Sequence, residues 1–299
     1  MSIELFDGHD GPDRRLFADP SFARIRRGWY VEQAELDALP KHQRYLLEVR
    51  AVAAARPGAI FARESALALA ALPFGKPTDV YTIGRGSTSG YAAGVRHCHV
   101  PVDDRDVIVE DGIARCAPAL ALADLARRGR QCDAVAALDW ALRARAVERE
   151  EVKAAVGRQG ARGRRRALWV VAFADHRAES VGESWSRVLL HRMGAPVPEL
   201  QARVATSIGD RFPDFRWARP GMRPLAGEFD GAAKYGVLAD AQGVQPVDAL
   251  IAEKRREDAM RETHDMARWM WDALLHPQRL ITVLAKAHLP VRSTLLPGW

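Results

Sequence analysis

The chain has 299 residues, room for two modest domains each burying a core of its own, and its 48% hydrophobic and 27% charged residues mark it as globular. No apolar run approaches the roughly 20 residues needed to cross a bilayer, and the opening MSIELFDGHDGPDRR is too polar for a signal peptide, so a cytoplasmic protein without a membrane partner is expected. A net charge of +6 favours a polyanionic partner without requiring one, and the three scattered cysteines (Cys98, Cys116, Cys132) give neither a zinc ribbon nor a disulfide framework.

Taken in order, Phe22 to Val31 alternates around Gly28 and predicts a β-hairpin or wing. From Gln43 to Ala55 the residues Leu46, Leu47, Val49, Val52 and Ala53 share one helical face, and Arg56-Pro57-Gly58 stops the helix. Ile60 to Leu72 reads as a small-residue helix after a short entry, ended by Pro73. Val80 to Ile83 and Val95 to Val100 read as strands joined by the Gly/Ser-rich Gly84 to Gly90. That stretch lacks the Gly-Lys-Ser/Thr ending of a phosphate loop and is expected to be a hairpin turn. A strand at Val107 to Val109, an Asp111-Gly112 turn and helices over Pro118 to Arg127 and Cys132 to Arg143 complete this half.

Three stretches here, RRGWYV at Arg26 to Val31, FARESALALAALP at Phe61 to Pro73 and DGIARCAPALALADLAR at Asp111 to Arg127, resemble the AbiEi-type antitoxin domain in actinobacterial proteins that fuse it to a nuclease-like tail. The resemblance implies an antitoxin-like α+β domain and a cognate toxin or regulatory partner. Members carry an amino-terminal winged helix that binds DNA, but little of its helix-turn-helix precedes Arg24 in this chain.

Gly157 to Arg166, GRQGARGRRR, reads either as a flexible charged boundary or as the start of the next helix. Arg164, Arg165 and Arg166 are candidate contacts to DNA phosphates, with a solvated linker as the other reading. Helices follow over Ala167 to His176 and Val181 to Met193, the second presenting Val181, Trp185, Val188 and Leu189 on one face, and then a first strand at Leu200 to Ala205. Ser180-Val181-Gly182-Glu183 fits a capping box.

The run FPDFRWARPGMRPLAGEFDGAAK, Phe212 to Lys234, reads as two antiparallel strands about the hinge Arg219-Pro220-Gly221. Alternation turns Asp214 and Arg216 away from Phe215 and Trp217, and Glu228 and Asp230 away from Phe229, so three carboxylates can converge on one side. Such like charges repel unless a cation or proton sits between them, and an all-oxygen set suits Mg²⁺ (or Mn²⁺) better than zinc. Solvated acids at strand ends are the alternative. Trp269 and Trp271, alternating with Met266 and Met270 about Arg268, read as a last core strand, while His264 and His276 stand alone.

Together with EKRRED at Glu253 to Asp258, Arg261 and the strand-like Met266 to Trp269, the GEFDG run at Gly227 to Gly231 resembles the very-short-patch-repair-like branch of the PD-(D/E)XK endonucleases, over roughly Ser180 to Ala287. The resemblance implies Asp214, Glu228 and Glu183 as metal ligands. It also implies Asp230 at the third motif position, where the superfamily has lysine, Lys234 or Lys254 as a migrated lysine, and Arg261, a neighbour of Asp258 on the helix, directed at phosphate. The expectation is thus an AbiEi-like α+β domain at 1–156, a basic linker at 157–166, and a PD-(D/E)XK-like mixed sheet of about four strands flanked by helices at 167–299. The implied function is Mg²⁺-dependent DNA endonuclease. A non-catalytic DNA-binding regulator or antitoxin and an interaction module without nucleic acid are the other readings.

Overall fold

The computed structural model describes residues 3–8, 16–84, 89–98, 102–231 and 246–298, as a mixed α/β chain gathered into two compact units. One holds residues 1–129 and 145–172, the other 130–144 and 173–299.

In the first unit, β2 (Phe22–Arg26) and β3 (Trp29–Glu32) form the expected antiparallel hairpin, to which β1 (Phe6–Asp7) adds a third strand on β3. After the short α1 (Gln33–Ala38), α2 (Lys41–Ala55) buries Tyr45, Val49 and Val52 in a core with Phe61, Val80 and Val95. These apolar residues come from β4 (Ile60–Phe61), the short entry to α3 (Arg63–Leu69), and from β5 (Val80–Ile83) and β7 (Val95–Cys98). With β6 (Gly90–Ala92), β8 (Val107–Glu110) and β9 (Ile113–Cys116) they make a six-stranded sheet of order β6-β7-β5-β4-β9-β8.

Here the structure departs from the expected hairpin over Gly84 to Gly90. Strands β5 and β7 run parallel, and the tight turn is one strand later, at Ala93 and Gly94 between β6 and β7. Both turn residues have positive φ, 49° and 74°, the backbone that a two-residue hairpin requires. Asp111 and Gly112, also at positive φ, turn β8 into β9 in the same way.

Helices α4 (Pro118–Arg128), α6 (Arg149–Arg158) and α7 (Arg164–Phe173) complete the unit. The stretch 157–166 is therefore no linker: its first two residues end α6 and its last three begin α7, all inside one unit. Both ends are anchored by burial, Val156 and Gln159 on one side and Ala167 and Val170 on the other. By contrast α5 (Gln131–Arg143), which the sequence boundaries put in the amino-terminal domain, belongs to the second unit.

The second unit is organised on α8 (Val181–Arg192) and a four-stranded sheet, β10-β13-β14-β15, made of Glu199–Leu200, Phe215–Trp217, Leu225–Asp230 and Asp265–Met270. β13 and β14 are antiparallel as expected, with Phe215 opposite Gly227 and Trp217 opposite Leu225, and β15 lies parallel to β14. The strand expected over Leu200 to Ala205 is broken at Gln201, whose φ is 51°. Beyond it β11 (Val204–Thr206) pairs, among the described residues, with β12 (Gly209–Arg211) in a separate hairpin.

Phe215 stacks between Trp217 and Trp269 at 6.0 and 5.3 Å, in a core shared with Trp185, Leu189, Leu190 and Ala136 of α5. Trp269 is thus a core residue, and its indole N–H donates to Ser186 Oγ at 2.8 Å. Trp271 does not continue the strand. It opens α10 (Trp271–Leu275), and its ring meets the edges of Trp185 and Phe229. The helices α9 (Pro246–Arg261) and α11 (Pro277–Lys286) complete the unit.

Candidate functional site

The site is set by how closely α8 approaches β14. A Cβ built on Gly182 would lie 1.9 Å from the ring of Phe229, so only glycine lets the helix start reach the strand, and Glu183 comes with it. Ser180 caps the helix in extended geometry, its hydroxyl accepting from the Glu183 N–H at 3.2 Å. The capping box is completed differently from expectation. The Glu183 carboxylate reaches one residue further back and accepts from the N–H of Glu179 at 2.8 Å. Glu183 is buried, and burial pushes its carboxyl above the usual range against the pull of these hydrogen bonds.

Asp214 immediately precedes β13 and Glu183 lies on α8, yet one side chain serves both. The Gln201 amide nitrogen donates to Glu183 Oε2 at 3.3 Å and to Asp214 Oδ1 at 3.4 Å. The other Asp214 oxygen accepts from the backbone N–H of Phe229 at 2.8 Å, which ties the carboxylate to β14. Gln201 bears no charge and no motif marks it, so nothing in a single sequence singles it out. Its positive φ is the backbone cost of bringing the amide to this position.

Glu228 is engaged from the neighbouring strand. It pairs in register with Arg268, whose Nη2 donates to Glu228 Oε2 at 2.8 Å, and Arg268 Nη1 lies 3.5 Å from Glu257 of α9. Arg261, which the nuclease resemblance directs at phosphate, in turn holds Glu257 at 2.6 Å, four residues back, in an i,i+4 pair. Arg261 and Arg268 together keep the Glu257 carboxyl below the usual range, chiefly through the Arg261 hydrogen bonds. Asp230 ends β14 half-buried on the Glu228 face, opposite Phe229, and Lys254 is exposed on α9. Lys234 lies outside the described residues. Arg164, Arg165 and Arg166 belong to the first unit.

Among the described residues no three His, Cys, Asp or Glu side chains gather as they would around a metal ion. What the structure brings together is a carboxylate pair, Glu183 and Asp214, under one amide, with Glu228 neutralised by Arg268. This donor set still fits a hard divalent cation. Mg²⁺ is commonly held by one or two carboxylates, with water and substrate phosphate filling the other positions. His264 is buried; its Nε2 accepts from Arg216 Nε at 3.2 Å, its Nδ1 lies 2.8 Å from Thr263 Oγ1, and burial with two nearby guanidiniums lowers its pKa.

Residues 77–171 match the family model of the AbiEi antitoxin C-terminal domain. The family model matches residues of both units, most of them in the first. Two uncharacterized proteins of Mycobacterium tuberculosis, MT2308 of strain CDC 1551 / Oshkosh and Rv2248 of strain H37Rv, are each 41% identical over 116 residues, 38% of this chain and 42% of theirs. The chain thus spans less than half the length of the curated relatives it matches. The crystal structure of the RV2827C protein from the same organism is 16% identical with a TM-score of 0.38, covering 56% of this chain and 71% of that one. Of the three stretches that resemble the antitoxin domain, Asp111 to Arg127 falls inside the matched interval while Arg26 to Val31 and Phe61 to Pro73 precede it. The relationship the comparisons establish is therefore similarity of residues 77–171 to the AbiEi antitoxin C-terminal domain, which suggests a toxin–antitoxin context.

Proposed function

We propose that the second unit is a very-short-patch-repair-like endonuclease of the PD-(D/E)XK type, hydrolysing DNA phosphodiesters with Mg²⁺ or Mn²⁺, in a chain whose AbiEi-like part answers to a cognate toxin. The observation that carries this reading is the Gln201 amide shared by Glu183 and Asp214, because it holds two oxygen ligands from different elements side by side without neutralising either. Glu183 and Asp214 would hold the ion, with Glu228 joining them. A divalent ion bound there supplies a water of lowered pKa and offsets charge on the phosphoryl oxygens. The backbone N–H of Phe229 orients Asp214, and Arg268 holds Glu228 in the position from which it can turn to the ion. Lys254, with Lys234 and Arg261, is assigned to steady the phosphate, and Asp230 to the third motif position.

A specific observation favours the second reading, a DNA-binding regulator that keeps a nuclease-shaped unit without cleavage. Glu228 already has a cation in Arg268, and Asp230 stands where the superfamily has lysine. Nicking of supercoiled plasmid in Mg²⁺ or Mn²⁺, with melting temperature followed against metal concentration, separates the two. Under the endonuclease reading metal raises the melting temperature by linkage, and Asp214→Asn and Glu228→Gln each abolish both nicking and the rise. Wild-type protein that binds DNA but shows neither response would sink it in favour of the regulator.

A further inference from the structure

The loop joining α6 to α7 gathers hydrogen-bond donors that have no acceptors. Arg127, in the last turn of α4, is 6% exposed, and Gln159, just after α6, is 4% exposed. The Arg127 guanidinium donates through Nη1 to Gln159 Oε1 at 2.8 Å and through Nη2 to the carbonyl of Arg162. Arg164 occupies two further loop carbonyls, those of Gly157 and Gln159, at 3.0 Å each. Left buried without a partner among the described residues are Arg127 Nε, Gln159 Nε2, and both Nε and Nη2 of the half-buried Arg166. All four are nitrogen donors, and buried donors without partners are uncommon enough to need a reason.

The helix that starts here brings its backbone amides to the same corner, the Arg164 N–H being held by the Ala161 carbonyl at 3.1 Å. Ala167 N–H bonds the carbonyl of Gly163, which makes Gly163 the capping residue of the ten-residue α7. A glycine offers no side-chain acceptor to the amides of the first turn. Nor could a serine or aspartate replace it: φ is 76° and a Cβ would lie 2.7 Å from the Arg127 carbonyl oxygen. The first turn contains no acid and three arginines. Burial, and after it the charges of Arg128 and Arg164, depress the Arg127 pKa against the pull of Asp124, as expected where guanidiniums crowd without enough anions.

We propose that this corner is an oxyanion site that takes a phosphate group, mono- or diester, at the amino terminus of α7, with Arg166 and Arg127 as its guanidinium ligands and Gln159 behind them. Helix-end amides and forked guanidinium donors are the groups that recognise phosphate oxygens. Arg166 Nε and Nη2 are the donors of its guanidinium that have no acceptor among the described residues. All the residues belong to the first unit, so the site stands or falls independently of cleavage by the second. The phosphate comes either from a nucleic-acid backbone or from a free phosphorylated compound.

The test is calorimetric titration of the full chain, at constant ionic strength, with inorganic phosphate, with a nucleoside monophosphate and with a short DNA duplex, chloride serving as the reference anion. Arg166→Met removes the fork; Arg166→Lys keeps the charge and most of the stem should the first variant fold poorly. Phosphate should bind the wild type, and both variants should weaken it about tenfold, the loss of a charge-assisted bond. If the duplex weakens in parallel and its slope of log K against log salt drops by about 0.9 per lost contact, nucleic acid is the source; if only the small anions respond, it is a free phosphate compound. Wild-type protein that distinguishes phosphate from chloride in no titration, or variants that bind phosphate as tightly as wild type, would overturn the proposal.

Discussion

At the scale of single residues, the carboxylate pair depends on an uncharged side chain. Glu183 is buried, and a buried carboxylate loses solvation that hydrogen bonds must replace. Its Oε2 has two donors, the Glu179 N–H at 2.8 Å and Gln201 Nε2 at 3.3 Å. The second is long, so its contribution lies at the low end for a bond to a charged group. Gln201→Ala should therefore lower stability by about 1 kcal/mol, read from the urea midpoint, and weaken Mn²⁺ binding by more than that change in stability accounts for. A variant with unaltered Mn²⁺ affinity would show that the amide only braces the fold. The opposite faces of Glu228 and Phe229 were legible because side chains alternate along a strand. Gln201 and Arg268 were not. The one acts through a polar amide in a break between strands, and the other reaches Glu228 across a parallel pairing of residues forty positions apart in the chain.

At the scale of elements, the site exists because a helix end and a strand touch without side-chain bulk between them. Gly182 faces the Phe229 ring, and Gly227, on the same strand, lies under the rings of Trp217 and Trp269, 2.8 Å from each for a built Cβ. In sequence Gly182 sits in a capping box and Gly227 opens the GEFDG run, and neither pattern shows the close approach, since that depends on what another segment brings. Gly182→Ala forces Phe229 or the helix aside, an overpacking that should cost about 1–3 kcal/mol in denaturant unfolding. Phe229→Leu in the same chain should restore part of that loss, because it removes the ring edge that meets the new methyl. If Gly182→Ala unfolds at the wild-type midpoint, α8 has more freedom over β14 than this contact allows. The hairpin and helix runs were legible for the opposite reason: β2–β3, α2, α4 and α8 carry their own periodicity, and α8 its own side-chain cap, whereas the parallel pairing of β5 with β7 depends on long-range register that local pattern does not encode.

At the scale of the whole molecule, the chain enters its second unit, leaves it and returns. α5 contributes Ala136 to the second core and Asp139 to a buried network there. Asp139 Oδ1 accepts from the Asp175 N–H at 2.7 Å, and Oδ2 accepts from Ser184 Oγ and Arg187 Nη1, both at 2.7 Å. Arg187 also donates to the Phe173 carbonyl and stacks 4.7 Å over the Phe173 ring. An amphipathic helix shows in sequence that it has a buried face, not whose core that face joins, so a boundary near 157–166 is what composition alone supports. The structural division makes a different forecast. A fragment of residues 167–299 lacks α5, leaving Arg187 buried without its carboxylate, and breaking such a pair costs about 3–5 kcal/mol, a large share of a domain's stability. That fragment should show no cooperative thermal transition. Fusing residues 130–144 to its amino terminus through a flexible linker should restore one, and the same fusion carrying Asp139→Asn should restore it at a clearly lower melting temperature, since the single carbonyl oxygen of asparagine can keep the Asp175 N–H while its amide nitrogen, a donor, replaces the oxygen that accepts from Ser184 and Arg187. A fragment 167–299 that melts cooperatively without α5 would place the boundary back where the composition puts it.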